Sequence, residues 1–177
     1  MPHLLDAAAV RTWCGLALDA LGRSRAEIDA INVYPVADGD TGTNLYLTAQ
    51  AAAWAVDAVW DGRDAADPPG LAEAIRAMAH GALTGARGNS GAILAQMLRG
   101  MADTLTGSGA DPGNTGDPGD TGDTGKGGGT GGRRGGGADA DGLRRALRRA
   151  AEAAYEAVAH PADGTILSVA DAAADAA

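Results

Sequence analysis

Apolar residues recur at helical spacing along most of the chain. Residues 4–21 place leucine, valine, alanine and tryptophan three or four positions apart, which predicts an amphipathic helix that ends at Gly22. Residues 28–36 carry β-branched side chains and Pro35, a composition that favours an extended or irregular segment. Helical patterns return over residues 41–60, 71–83, 92–105, 141–159 and 165–177, and the first of these has Thr41, Thr43 or Asn44 as its predicted N-cap.

Two stretches interrupt the helical pattern. Residues 61–70 contain Pro68, Pro69 and two glycines and are predicted to form a loop. Residues 106–137 are rich in glycine, aspartate, threonine and proline and hold almost nothing apolar, so they cannot bury enough surface to fold. We therefore predict one domain over residues 1–177 with a disordered glycine-rich insertion at about residues 106–137.

The composition supports an all-α fold. Hydrophobic residues make up 45% of the chain, but phenylalanine is absent and only three tryptophans and three tyrosines supply aromatic bulk. Alanine dominates the apolar share, which favours close packing of helices over a sheet sandwich.

The net charge of −9 has the wrong sign for a protein that neutralises nucleic-acid phosphates, so DNA and RNA are poor candidate partners. An acidic protein that binds a phosphorylated ligand needs a metal ion or a helix N-terminus to overcome repulsion. The single cysteine, Cys14, has no partner, which fits a reducing, cytoplasmic location. We find neither a signal peptide nor an apolar run long enough to insert in a membrane.

The first candidate site is the segment around Asp38, Gly39 and Asp40, immediately before a predicted helix. Two carboxylates on a flexible turn can face one hard cation, and Mg²⁺ commonly takes one or two carboxylates together with phosphate oxygens and water. The N–H groups of the following helix would receive phosphate oxygens. An Asx-type turn that caps the helix explains the composition equally well. A calcium-binding EF-hand is a weaker interpretation, because Ala49 stands where its final glutamate would be.

The second candidate site is Gly85-Ala-Arg-Gly-Asn-Ser-Gly91, which also precedes a predicted helix. It lacks the lysine of a Walker P-loop and the preceding strand of a dinucleotide-binding loop. Its glycines, with Asn89 and Ser90, would form a nest of N–H donors and a hydroxyl that suits another part of a polyphosphate.

Three segments together resemble one known family. They are YPVADGDTGTN at residues 34–44, GARGNSGAILAQ at residues 85–96 and HPADGTILSVADAAADAA at residues 160–177. In this order they resemble the nucleotide-binding domain of DAK2-type proteins, which include bacterial fatty acid kinase and are similar to the ADP-binding L subunit of dihydroxyacetone kinase. The resemblance implies an antiparallel barrel of about eight helices, with ATP or ADP and two Mg²⁺ ions at one end. The pattern yields about six helices, so one or two are lost by truncation or not detected.

The resemblance also assigns roles to individual residues. Asp38 and Asp40 would be Mg²⁺ ligands, with Asn32 as a tentative third ligand through its amide oxygen, because residues 32–37 lack the additional acid of dihydroxyacetone kinase. The residues implied to bind the nucleotide are Thr41, Thr43, Asn44, Gly88, Asn89, Ser90 and Thr165.

The implied activity is transfer of the γ-phosphoryl group of ATP to the carboxylate of a fatty acid that a partner lipid-binding protein presents. A carboxylate acceptor needs no general base, which agrees with the lack of histidine or cysteine beside the two motifs; His80 is a minor candidate. The alternatives are a dihydroxyacetone kinase subunit and a noncatalytic helical domain.

Overall fold

The computed structural model describes residues 4–32, 38–64, 66–107, 137–162 and 164–177. Within these ranges the regular structure consists of α-helices, with turns and loops between them and an isolated bridge between Leu5 and Ala138. The helices are α1 (Ala7–Ala30), α2 (Thr41–Ala58), α3 (Leu71–Gly85), α4 (Gly88–Leu105), α5 (Ala140–Glu156) and α6 (Ile166–Asp175). The prediction of an all-α fold is confirmed.

Consecutive helices are antiparallel. This follows from contacts of Arg11 with Asp57, Asp29 with Thr43, Gly85 with Ala51, Gly100 with Arg149, and Arg148 with Asp175. The N-termini of α2, α4 and α6 therefore lie at one end of the molecule, together with the C-termini of α1, α3 and α5. We call this the upper end.

Each helix packs on the next one along the chain, and α2 also contacts α4 while α1 contacts α3. Helix α6 packs on α5 and has no substantial contact with α1 among the described residues. Closure of a barrel is therefore not seen in this part of the chain and stays a prediction. No described helix is long and apolar enough to cross a membrane.

Several predicted boundaries were wrong. Helix α1 continues past Gly22 to Ala30, because Gly22 does not adopt the positive φ of a helix-ending glycine. Its missing side chain leaves room for the ring of Tyr46 on α2. The N-cap of α2 is Asp40, so the three predicted cap residues all lie inside the helix. Helix α4 begins at Gly88 rather than at residue 92, which places residues 88–91 of the second motif in its first turn. Most of the predicted insertion and residues 33–37 lie outside the described residues.

The core is made mostly of alanine, and a few larger side chains fill it. Val56, Ile75 and Met78 are almost completely buried between α2 and α3. Small side chains let the helix backbones approach closely, and glycine permits the closest approach. A Cβ at Gly81 would lie 2.6 Å from the carbonyl oxygen of Ala51, so α3 rests on the backbone of α2 at this point.

The replacement of Gly81 with alanine tests this close approach. We expect Gly81→Ala to lower the free energy of unfolding by about 1–3 kcal/mol, because the new methyl group would overlap the backbone of α2. Gly15→Ala is the matched control, since a Cβ at Gly15 meets nothing within 4 Å, and it should raise stability by about 0.5–1 kcal/mol. Urea unfolding of both variants measures the difference, and equal stabilities would contradict this packing.

Cys14 provides a second test of the packing. Its side chain is buried, and desolvation, with a smaller contribution from the charge of Asp57, raises the pKa of the thiol to about 11. We expect a disulfide reagent at pH 8 to modify the folded protein at least about tenfold more slowly than the protein unfolded in guanidinium, because only the thiolate reacts. Equal rates would show that the side chain of Cys14 is not buried in the folded protein.

Candidate functional site

The two sequence motifs meet at the upper end, where the first turns of α2 and α4 are in contact. The side chain of Asn44 lies directly against Gly88, which has a φ of +55° and no space for a Cβ. The hydroxyl oxygens of Ser90 and Thr41 are 3.4 Å apart. The structure therefore brings Thr41, Asn44, Gly88 and Ser90 together, as the prediction of one shared site requires.

A buried threonine holds the two turns in register. Thr48 has 0% of its surface exposed. Its hydroxyl donates a hydrogen bond to the carbonyl oxygen of Asn44 at 2.8 Å and accepts one from the N–H of Arg87 at 3.1 Å. Gly91 leaves no room for a side chain against that hydroxyl. Because a buried hydroxyl must be hydrogen-bonded, this pair of bonds fixes the start of α4 relative to α2.

The first turn of α4 presents its N–H groups without a capping side chain. Its N-cap is Arg87, whose side chain has no acceptor atom, and no side chain caps the helix. The N–H groups of Gly88, Asn89 and Ser90 begin the helix and lack intrahelical partners. With the positive end of the helix dipole, they form an arrangement that suits an anion.

The two predicted metal ligands lie on an exposed turn directly before α2. Asp38 and Asp40 are both exposed, and Gly39 between them has a φ of +64°. The amide nitrogen Nδ2 of Asn32 donates a 2.6 Å hydrogen bond to Oδ1 of Asp38. Asn32 thus orients the first acid, and its own role as a ligand stays a prediction.

Asp40 occupies the N-cap position of α2, but its side chain makes no capping hydrogen bond. The cap comes instead from α1. Asp29 accepts a hydrogen bond from the N–H of Thr43 at 3.0 Å and another from the Thr43 hydroxyl at 2.8 Å. The Thr43 hydroxyl also accepts a hydrogen bond from Nε of Arg25 at 2.9 Å.

These contacts lower the pKa of the Asp29 carboxyl below its ordinary value. The N–H of Thr43 contributes most, and partial desolvation opposes it; the Thr43 hydroxyl, the N–H of Gly42 and the charge of Arg25 also favour the carboxylate. The N–H and the hydroxyl of Thr43 are therefore already hydrogen-bonded to side chains of α1. The predicted contact of Thr43 with a phosphate would require these bonds to change.

Thr165 lies apart from the other predicted residues. It is the N-cap of α6, where its hydroxyl accepts from the N–H of Leu167 at 3.3 Å and donates to the carbonyl oxygen of Ala162 at 2.8 Å. The N-terminus of α6 belongs to the upper end, so the topology allows the predicted role, but among the described residues Thr165 contacts neither motif.

The exposed acids fit a magnesium ion that arrives with a phosphorylated ligand. Among the described residues, no group of three or more histidine, cysteine, aspartate or glutamate side chains is placed to hold a metal by itself. Two carboxylates, with phosphate oxygens and water for the remaining positions, are what Mg²⁺ takes in nucleotide sites. Asp38 and Asp40 are the residues that would hold it.

Sequence reasoning missed two residues of this site. The pattern gives no signal for Asp29, because the resemblance indicates an additional acid only among residues 32–37 and Asp29 lies three positions before Asn32. Thr48 gave no signal, since one threonine in an alanine-rich helix is ordinary; its importance comes from a partner 39 residues away.

The geometry defines a helical domain with two adjoining helix N-termini, one that carries two exposed acids and one without a cap. This arrangement is suited to a metal-bound polyphosphate. The sequence profile of the DAK2 domain matches residues 35–177. The chain belongs to the DAK2 domain family and carries a dihydroxyacetone kinase-like nucleotide-binding domain.

The curated relatives are much longer proteins. The chain is 33% identical to the protein YloV of Bacillus subtilis over 150 residues. This aligned region covers 85% of the chain and 21% of YloV. It is 34% identical over 153 residues to an uncharacterized protein of Staphylococcus saprophyticus and 32% identical over 153 residues to one of Staphylococcus aureus, with the same coverage of each. The chain therefore spans about a fifth of the length of these relatives.

Replacement of Thr48 tests whether its hydroxyl joins the two turns. We expect Thr48→Val to lower the free energy of unfolding by about 1–3 kcal/mol, because it leaves the N–H of Arg87 without its partner. Hydrogen exchange at that N–H, followed by NMR, should become faster. Thr48→Ser is the control, since it keeps the hydroxyl and should leave the exchange rate nearly unchanged. Unchanged protection in Thr48→Val would show that the bond is unimportant.

Proposed function

We propose that this chain is the Mg²⁺-dependent ATP-binding domain of a phosphotransferase, and that the acceptor is the carboxylate of a fatty acid presented by a partner lipid-binding protein. The observation that carries the nucleotide site is the contact between the first turns of α2 and α4. Thr41, which directly follows Asp40, has its hydroxyl 3.4 Å from that of Ser90 in the uncapped first turn of α4, and this contact supports a site shared by the two motifs.

The geometry of Asp40 argues against the alternative in which the acidic turn is only a helix cap. An aspartate at an N-cap position normally accepts a hydrogen bond from the second or third N–H of its helix. Asp40 makes no such bond: its backbone ψ of 3° lies outside the extended region typical of an N-cap, and the N–H of Thr43 donates to Asp29 instead. An exposed carboxylate that neither caps nor forms an ion pair among the described residues is available for a cation.

The chain's own groups would act by positioning and charge neutralisation, which supply most of the catalysis in phosphoryl transfer. Asp38, oriented by Asn32, and Asp40 would hold the cation on the α2 side. The N–H groups of Gly88, Asn89 and Ser90 would receive phosphate oxygens on the α4 side. Mg²⁺, when bound, would neutralise phosphate charge and make the γ-phosphoryl group more electrophilic.

The acceptor is supported by the resemblance to fatty acid kinase and by the sequences of the two motifs, residues 34–44 and 85–96, which contain no histidine or cysteine. Of the described histidines, His80 is exposed on α3, and His160 is exposed between α5 and α6. A fatty acid carboxylate is already an anion and needs no base, whereas a triose hydroxyl must lose a proton. A subunit of a dihydroxyacetone kinase is the second candidate.

Calorimetric titration of ATP into the 177-residue chain tests the proposal. We expect binding that requires Mg²⁺. Asp38→Ala and Asp40→Ala should each weaken it by at least roughly 10- to 100-fold, because even groups that only support a metal ligand typically contribute that much. Asp61→Ala is the matched control, since Asp61 is an exposed acid just beyond the C-terminus of α2, at the opposite end of the molecule.

Circular dichroism must show that each variant is folded. Equal ATP affinity with Mg²⁺ and with EDTA, or retention of the Mg²⁺ effect in both aspartate variants, would contradict the proposed site. Release of ADP with a protein-bound fatty acid, compared with release with dihydroxyacetone, then separates the two acceptor classes.

A further inference from the structure

Two carboxylates, those of Asp29 and Asp40, lie at the N-terminus of α2, and only the Asp29 carboxylate hydrogen-bonds to its first turn. Asp40 stands at the N-cap, from which a side chain ordinarily accepts from the second or third N–H of the helix. Those N–H groups belong to Gly42 and Thr43. Asp29, at the end of α1, accepts from Thr43 instead and also accepts from the Thr43 hydroxyl.

Close packing between α1 and α2 allows Asp29, a residue of α1, to cap α2. A Cβ at Gly42 would overlap the carbonyl oxygen of Arg25 and lie 3.0 Å from Cβ of Ile28, so the first turn of α2 rests directly on α1. Nε of Arg25 donates to the Thr43 hydroxyl, and its guanidinium lies 5.8 Å from the centre of the Tyr46 ring. Asp29 is therefore held on the first turn of α2 by a fixed contact.

We infer that Asp29 is a positioning residue that caps α2 in place of Asp40 and so leaves the Asp40 carboxylate open toward the metal and nucleotide. This inference rests on the proposed function. A carboxylate bound to the N–H groups of its own helix is turned away from a cation in front of the helix. Without Asp29, the cap position of α2 would draw Asp40 back, and the form competent for metal binding would be less populated.

The expected size of the effect follows from the strength of a helix cap. If Asp40 gains a typical N-cap interaction when Asp29 is removed, the fraction of protein with an open Asp40 carboxylate falls by roughly 3- to 30-fold. The apparent affinity for ATP in Mg²⁺ falls by the same factor, whereas the affinity in EDTA changes little.

The test compares ATP affinity in Mg²⁺ and in EDTA for Asp29→Ala, Asp29→Asn and Asp139→Ala. Asp139 is the matched control, because it caps α5 by accepting from the N–H of Gly142 at 2.7 Å, at the end of the molecule opposite the site. Asp29→Ala and Asp139→Ala should lose similar thermal stability. Only Asp29→Ala should reduce the Mg²⁺ effect, which is the gain in ATP affinity in Mg²⁺ over that in EDTA. Asp29→Asn keeps an acceptor oxygen for the N–H of Thr43 and should retain most of the Mg²⁺ effect.

A double variant distinguishes positioning from direct ligation. If Asp29 acts through Asp40, Asp29→Ala should cost no further Mg²⁺-dependent affinity in an Asp40→Ala background. An unchanged Mg²⁺ effect in Asp29→Ala would overturn the inference. Equal losses in Asp29→Asn and Asp29→Ala that add to the loss in Asp40→Ala would also overturn it, since Asp29 would then be a ligand.

A crystal structure of Asp29→Ala without nucleotide tests the inference independently of the proposed function. The expected result is an Asp40 carboxylate within hydrogen-bond distance of the N–H of Gly42 or Thr43. An Asp40 side chain that stays in its original position would overturn it. If the wild-type chain shows no Mg²⁺ effect on ATP binding, the proposed function fails, and this crystal structure still decides how α2 is capped.

Discussion

The close approach of α2 to the helices around it is the constraint on which the site depends. At Gly42, Gly81 and Gly91 a neighbouring group occupies the space that a side chain would need. These contacts place the first turn of α2 against α1 on one side and against α4 on the other. Because the core consists mostly of alanine, it fixes these positions through backbone contact rather than through interlocking of large side chains.

Buried polar contacts then select one arrangement among those that close packing allows. Thr48 is the buried polar side chain in the described core, and its two hydrogen bonds require one register between α2 and the turn before α4. A slip of α4 along α2 would leave the buried Thr48 hydroxyl without the N–H of Arg87 as its partner, and an unpaired buried hydroxyl costs more than the bond contributes when formed. The site geometry is thus specified by polar contacts on an apolar frame.

The sequence predicted the helices and the acidic pair, and it could do so because both are local features. Helical spacing and two aspartates around a glycine are visible within a dozen residues. The contacts of Asp29 with Thr43 and of Thr48 with Arg87 join positions 14 and 39 residues apart, so they depend on how the helices pack. Gly22 shows that a local pattern can also mislead: it predicted a helix end, whereas α1 continues to Ala30 and packs at Gly22 against Tyr46 of α2.

The N-termini of α2 and α4 differ in charge, and this difference orients the proposed ligand. The first turn of α2 is already satisfied by the carboxylate of Asp29, and two further acids precede it, so an anion placed there without a cation would be repelled. The first turn of α4 carries no acid and no side-chain cap. A polyphosphate that bridges the two turns should therefore meet α2 through a metal ion and α4 through direct hydrogen bonds. A chain with a net charge of −9 gains from this division, because the acids that hold the cation are separated from the N–H groups that hold the anion.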